Sequence, residues 1–281
     1  MQTVLILALF PLGLIAGGFA TMLADRGLDD TPFSLRSRCP QCHADLSLAD
    51  TIPVLSWFRL GRSCRHCDAA ITVGYPLVEF GTAVGFAWVA WRYDQTGWLI
   101  VVPLVLVTAG MALTATDLYT YRLPNRIVFP TFWFSLAAMV VLALVEREDI
   151  TIVIPAVAAG IGYFVFLLVF NLIYPPAMGF GDVKLALVLG LHTGWVGSAF
   201  FDSTRAVVQL TFYALLIGMF SYVGFALVIT ALRRFVDRDI LPDPEADPDD
   251  AQPVRRMALP LGPGLILGAL IVILYPDLVV S

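Results

Sequence analysis

Charge is scarce in this chain. Asp, Glu, Lys and Arg make up 14% of its 281 residues against 59% hydrophobic residues, with one lysine, Lys184, and three histidines. A soluble domain is nearer one-half apolar and one-quarter charged. The shortage therefore excludes a large soluble α/β enzyme, and the apolar runs are too long for strands. Other absences narrow the function. No basic stretch precedes the first apolar run and no small-x-small site follows it, so no cleavable signal peptide is expected. No serine or cysteine has an evident histidine partner within the apolar runs: His43 and His66 lie in a polar segment and His192 lies deep in a run. Acyl-enzyme chemistry is therefore not expected. There is no internal repeat of the kind many transporters are built on, and no glycine-rich nucleotide fingerprint.

What the chain does have is apolar runs, at residues 4–19, 76–91, 98–116, 127–145, 150–174, 183–201, 206–232 and 259–280. These predict an all-α polytopic membrane protein of about eight transmembrane helices, with a small polar domain between helices 1 and 2. The divisions are helix 1 at 1–20, the polar domain at 21–75 and a seven-helix membrane domain at 76–281. Within the last, 233–258 form an acidic, proline-rich loop that reads as a disordered linker. Eight crossings leave both termini on one side. With the termini outside, 14 basic residues fall on the cytoplasmic side and only Arg92, Arg147 and Arg205 outside, the bias the positive-inside rule requires. Trp91, Tyr93 and Trp98, around the first outer turn, suit an interfacial aromatic belt.

This topology puts two aspartates at one depth. Asp117 ends an inward run and is followed by Leu123-Pro124. Asp182 opens an outward run within Gly179-Phe180-Gly181-Asp182-Val183-Lys184. Ionisable residues at such positions are costly and suspect as functional, and Gly179 and Gly181 permit a tight turn and the approach of another segment. Two close carboxylates tend to share one proton. The ionised member can activate water while the other protonates a carbonyl, which is peptide hydrolysis without an acyl-enzyme. Helix capping is the alternative for each. Glu79, at the same boundary, is a candidate to assist the site, to bind a basic substrate or to cap a helix. Lys184 stands two residues past Asp182 and so points away from it on a helix; it is a candidate substrate contact or a positive-inside anchor.

The polar domain holds all four cysteines, as Cys39-Pro40-Gln41-Cys42 and Cys64-Arg65-His66-Cys67. Two Cys-x2-Cys pairs form a strong zinc pattern, in which four thiolates complete a tetrahedron and leave no open position. The expected role is structural, in a domain too small for a good core. His43 and His66 adjoin the ligands and are candidate substitutes for one. On the cytoplasmic side disulfides are disfavoured.

Together these motifs resemble the type IV prepilin peptidases, bifunctional leader peptidase/N-methyltransferases of the Gly-x-Gly-Asp aspartic protease class. The resemblance covers almost the whole chain. It includes the cysteine pairs, Asp50-Thr51-Ile52-Pro53, Ser56-Trp57, Tyr75-Pro76-Leu77-Val78-Glu79, Asp117 with Leu123-Pro124, Gly179 to Lys184, and Pro260-Leu261-Gly262-Pro263-Gly264. The chain departs from the family pattern at Gly17-Gly18-Phe19-Ala20-Thr21, at Pro124-Asn125, at Pro260-Leu261-Gly262-Pro263 and in its acidic loop. The resemblance implies a bacterial inner-membrane enzyme that cuts the basic leader from prepilins and pseudopilins at the cytoplasmic face, with Asp117 and Asp182 as the catalytic pair. It also implies methylation of the new N-terminus with S-adenosylmethionine. No nucleic-acid partner is expected. A proton-coupled transporter, a zinc-domain scaffold without catalysis and a Gly-x-Gly-Asp protease of other substrates are the alternatives. Loss of cleavage on neutralising either aspartate separates a protease from the first two.

Overall fold

The computed structural model describes residues 2–27, 38–39, 41–94, 96–175, 178–235 and 260–280. Most of the expected acidic linker, 236–258, lies outside the described residues. The described chain is helical: α1 Gln2–Arg26, the short α2 Leu55–Arg59, α3 Gly74–Arg92, α4 Val101–Thr120, α5 Asn125–Leu142, α6 Val153–Ile173, α7 Phe180–Phe201, α8 Thr204–Phe235 and α9 Gly262–Leu274. Among the described residues six helical stretches are long and apolar enough to cross a membrane: Gln2–Arg26, Gly97–Thr120, Asn125–Glu146, Ile150–Ile173, Phe180–Phe201 and Thr204–Gly224. The other two expected spans correspond to α3 and α9. Glu79, Arg92, a tyrosine and two tryptophans dilute the apolarity of α3, and α9 has only 13 residues.

Several boundaries differ from the sequence reading. Helix α1 runs through Pro11 to Arg26, six residues past the expected limit. Helix α7 begins at Phe180, so Asp182 lies within its first turn. Tyr93 is no belt residue: it is 3% exposed, stacks on Phe200 and hydrogen-bonds the Ile273 carbonyl. Trp91 and Trp98 remain exposed.

Helix α7 is the centre of the bundle and packs on α4, α5, α6, α8 and α9. It is mostly buried yet is the least apolar of the six, whereas α6, the most apolar, is mostly exposed. Lipid demands apolar side chains only of the helices that face it, so the central helix can carry Thr, Ser, His and Gly. Small residues let the backbones touch: a Cβ at Gly190 would lie 2.6 Å from the Ala159 carbonyl oxygen on α6. A Cβ at Gly268 would lie 2.4 Å from the Ala214 carbonyl oxygen, which seats α9 on α8.

The far end of the bundle is tied by an Arg92–Asp277 ion pair between α3 and the C-terminal turn. At the other end Tyr75, opening α3, donates to Asp25 at 2.9 Å. Between α1 and α3 the chain forms two turns of the same build. The N–H of Cys39 bonds the Ala44 carbonyl and that of Cys64 the Ala69 carbonyl; His43 and Asp68, at matching positions, both have φ of 56° and donate back to the cysteine carbonyl four residues earlier.

Candidate functional site

Asp117 lies in the last turn of α4 and is 5% exposed; Asp182 lies in the first turn of α7 and is 7% exposed. Both line one cavity of about 500 Å³. The α4–α5 turn forms another wall through Leu123, Pro124 and Asn125, held by a close approach: a Cβ at Gly181 would sit 3.0 Å from that of Leu123. Gly181 is thus a contact point. Gly179 has extended backbone, φ −69° and ψ 146°, so no positive-φ turn is formed there. Asp117 Oδ2 accepts the Gly262 N–H at 3.0 Å, whereas Asp182 Oδ1 is buried without a hydrogen-bond partner.

Lys184 lines the same cavity, hydrogen-bonds Asn125 and lies 5.5 Å over the Phe180 ring. Among the described residues it makes no ion pair with Asp182, in keeping with their two-residue spacing. Arg122 and Arg126 add positive charge to the rim. Glu79 does not line this cavity. Its Oε2 accepts the Val54 N–H at 2.6 Å, and Gly17 of α1 packs so closely that a Cβ there would fall 2.5 Å from the Glu79 Cα.

The four cysteine sulfurs lie within 4.8 Å of one another, and Cys39 Sγ is 3.8 Å from Cys67 Sγ. Sulfurs at about 2.3 Å from a tetrahedral zinc stand about 3.8 Å apart, so the donor set fits that ion. The group comprises the cysteines alone, without His43 or His66. N–H donation from Cys42 and Gln41 pulls the Cys39 thiol down to about 6. Cys67, although the Ala69 N–H favours its thiolate, is pushed up to about 12 by burial and its sulfur neighbours. Crowded thiols cannot all ionise unless a cation compensates them.

Residues 12–93 match the Bacterial Peptidase A24 N-terminal domain, and residues 104–227 match the Type IV leader peptidase family. A prepilin leader peptidase/N-methyltransferase of Aeromonas hydrophila is 33% identical over 208 residues, 73% of this chain and 68% of the relative. This chain belongs to the type IV leader peptidase family. Family members of the same description from Aeromonas salmonicida and Pseudomonas aeruginosa are 36% and 32% identical over 59% and 57% of the chain. These two alignments span 58% and 54% of the relatives. No solved structure matches.

In this leader peptidase the first match takes in the cysteine cluster and Glu79, and the second takes in both aspartates. Helix α9, with its hydrogen bond to Asp117, lies beyond both. Two further features escaped the sequence. Ser135 and His192 do pair, at 3.1 Å between α5 and α7, contrary to the expectation that no serine has a histidine partner. The residues are 57 positions apart, beyond the reach of local pattern. His192 Nδ1 faces the Val188 carbonyl at 2.8 Å and donates to it, so Nε2 accepts the serine hydroxyl. At 0% and 1% exposure the pair is a polar cross-link, closed to substrate. The other feature is Val54. Its φ of 62° and ψ of −51°, with a Leu55 N–H to Pro53 carbonyl bond at 2.6 Å, make a positive-φ γ-turn on a β-branched residue, a strained conformation. Glu79 accepts the N–H of this residue.

Proposed function

We propose that Asp117 and Asp182 are the catalytic pair of a membrane aspartic peptidase that removes the N-terminal leader of type IV prepilins and pseudopilins at the cytoplasmic membrane face. The observation that carries this reading is the convergence of two buried carboxylates, 65 positions apart in sequence, on one cavity at the end of the bundle. The prepilin substrate is supported by the relatives' names. The bilayer is the other partner, crossed eight times with both termini outside.

In the reaction the ionised carboxylate takes a proton from water as the water oxygen attacks the scissile carbonyl carbon. The protonated carboxyl gives its proton to the carbonyl oxygen. The resulting gem-diol collapses: the first carboxyl protonates the leaving nitrogen, the C–N bond breaks, and the second recovers a proton from a hydroxyl. The dyad is thereby restored. Burial strengthens both transfers, because water does not compete for the proton. Gly181 supports the site by its close packing on Leu123, Gly179 leads into α7 beside Asp182, and Lys184 and Asn125 offer polar contacts to the substrate backbone. Glu79 holds the cysteine domain to α3.

Cys39, Cys42, Cys64 and Cys67 would hold a structural zinc, which supplies cross-linking of the domain and no step of hydrolysis. Methylation of the new N-terminus, with S-adenosylmethionine as donor, belongs to this reading through the relatives' names. The donor's sulfonium is positively charged, and the aspartate cavity, rimmed by Arg122, Arg126 and Lys184, does not fit it.

The test is cleavage of a leader-bearing prepilin by full-length protein in membranes, followed by mass. Asp117→Asn and Asp182→Asn, which keep shape but remove the acid/base group, are each expected to lose about a thousandfold or more in rate while remaining folded. Variants that cut as well as wild type would overturn the assignment. Wild type that does not cut would return the transporter and scaffold readings. A gain of one methyl group on the product reads the second activity.

A further inference from the structure

The segment Pro260-Leu261-Gly262-Pro263-Gly264 has no part in the mechanism above, yet among the described residues it supplies the hydrogen bond to the Asp117 side chain. The Gly262 N–H reaches Oδ2 at 3.0 Å from the start of α9. A Cβ at this position would stand 2.7 Å from the same oxygen, so the approach requires glycine. The amide is fixed from behind: a Cβ at Gly264 would fall 2.9 Å from the Gly218 carbonyl oxygen on α8, and one at Gly110 on α4 would meet Ile266 at 2.9 Å. The dyad is thus unequal. An N–H can only donate, so Asp117 Oδ2 must present a lone pair to it. The backbone N–H groups of Gly179 and Asp182 lie near the Asp182 carboxyl but leave its Oδ1 buried without a hydrogen-bond partner, so that this oxygen is a costly place for negative charge and a free place for a hydrogen. Lys184 of α7, Arg122 of the α4–α5 turn and Arg126 of α5 are the other charged groups lining the cavity.

We infer that Gly262 is a positioning residue whose backbone N–H holds Asp117 as the carboxylate that takes the proton from water, leaving the shared proton on Asp182 as the one delivered to the scissile carbonyl. The inference rests on the two-aspartate reading for its catalytic meaning. Proton placement can be read without turnover.

The experiment uses full-length protein in lipid nanodiscs at neutral pH. Infrared spectra of the protonated-carboxyl C=O band are compared for wild type, Asp117→Asn and Asp182→Asn. The band is expected to survive Asp117→Asn and to disappear in Asp182→Asn. The reverse pattern, or equal behaviour of the two variants, overturns the inference. A backbone ester at position 262, made by incorporating glycolic acid, removes the N–H without adding a Cβ. It is expected to shift the band and to lower kcat about tenfold or more, with KM within about twofold. An unchanged band and unchanged kcat would remove Gly262 from the role. Failure of wild type to cut prepilin would sink the peptidase reading while the infrared result still decides where the proton sits.

Discussion

At Val54 the backbone is held where a β-branched residue does not go unaided, and Glu79 is the group that holds it. A non-glycine residue in a left-handed region costs about 1–2 kcal/mol, and a buried N–H that loses its acceptor costs about 1–3 kcal/mol. Glu79→Ala should therefore loosen the polypeptide around residues 52–60, read as faster limited proteolysis there. Glu79→Gln, which keeps an acceptor, should lie between. Val54→Gly should be tolerated or stabilising, and thermal unfolding that falls by several degrees in that variant would contradict the strain. Asp50 gives the complementary electrostatic case. Hydrogen bonds from Ser47, 2.6 Å from its hydroxyl, together with Arg65 and Arg59, hold its carboxyl below the usual range. A depressed carboxylate contributes stability above its unfolded value of about 3.9 and loses it as pH falls through the folded value. The stability gap between wild type and Asp50→Asn should thus be present at neutral pH and close on acidification below about pH 4, in unfolding followed by Trp57 fluorescence. The aspartates and cysteines were legible in the sequence because each is conspicuous in an apolar chain. Val54–Glu79 and Ser135–His192 were not, because their partners lie 25 and 57 residues apart.

Among elements, the two cysteine turns are identical in backbone pattern, and neither has an apolar core of its own. Trp57 ties the second turn, with its indole N–H on the Ile71 carbonyl at 3.0 Å and Arg62 4.9 Å over its ring. A unit so small depends on a cross-link. Cys39→Ser is expected to lose bound zinc by elemental analysis and to make the segment protease-sensitive; unchanged metal content in that variant would remove the zinc assignment. Helix boundaries were legible only where lipid imposes apolarity. Helix α6 announces itself by hydropathy because it faces outward. Helix α7 is weak by the same measure because it is enclosed, so its central place was not readable. The 13-residue α9 was expected to span 259–280 because Leu278 and Val279 continue its apolar character past the end of the helix. Pro276 stops it, and a 3-10 turn, Pro276–Leu278, follows.

For the whole molecule, packing and charge bias bear on the same topology. Gly27, following α1, and Asp117, ending α4, line one cavity, so α1 and α4 finish at the same end of the bundle. The described chain between them has only one long helix, α3, to return through the bilayer, which argues that α3 crosses despite Glu79 and Arg92. The same reasoning applies to α9. It starts at Asp117 and is followed by Asp277, the partner of Arg92 at the far end. Its 13 residues cover about 20 Å, and the following turn extends it toward the interface. In the proposed topology of eight crossings, the basic residues counted from the sequence fall mainly on the aspartate side, which the positive-inside rule makes the cytoplasmic one. A membrane-impermeant thiol reagent added to intact cells should therefore label Thr204→Cys, which is exposed at the far end. Ala70→Cys, exposed beside the cysteine cluster, should label only after permeabilisation. Labelling of both from outside would place α3 within the interface and break the argument that it crosses. The inverse pattern would put the aspartates on the outer face, where a leader presented from the cytoplasm cannot reach them.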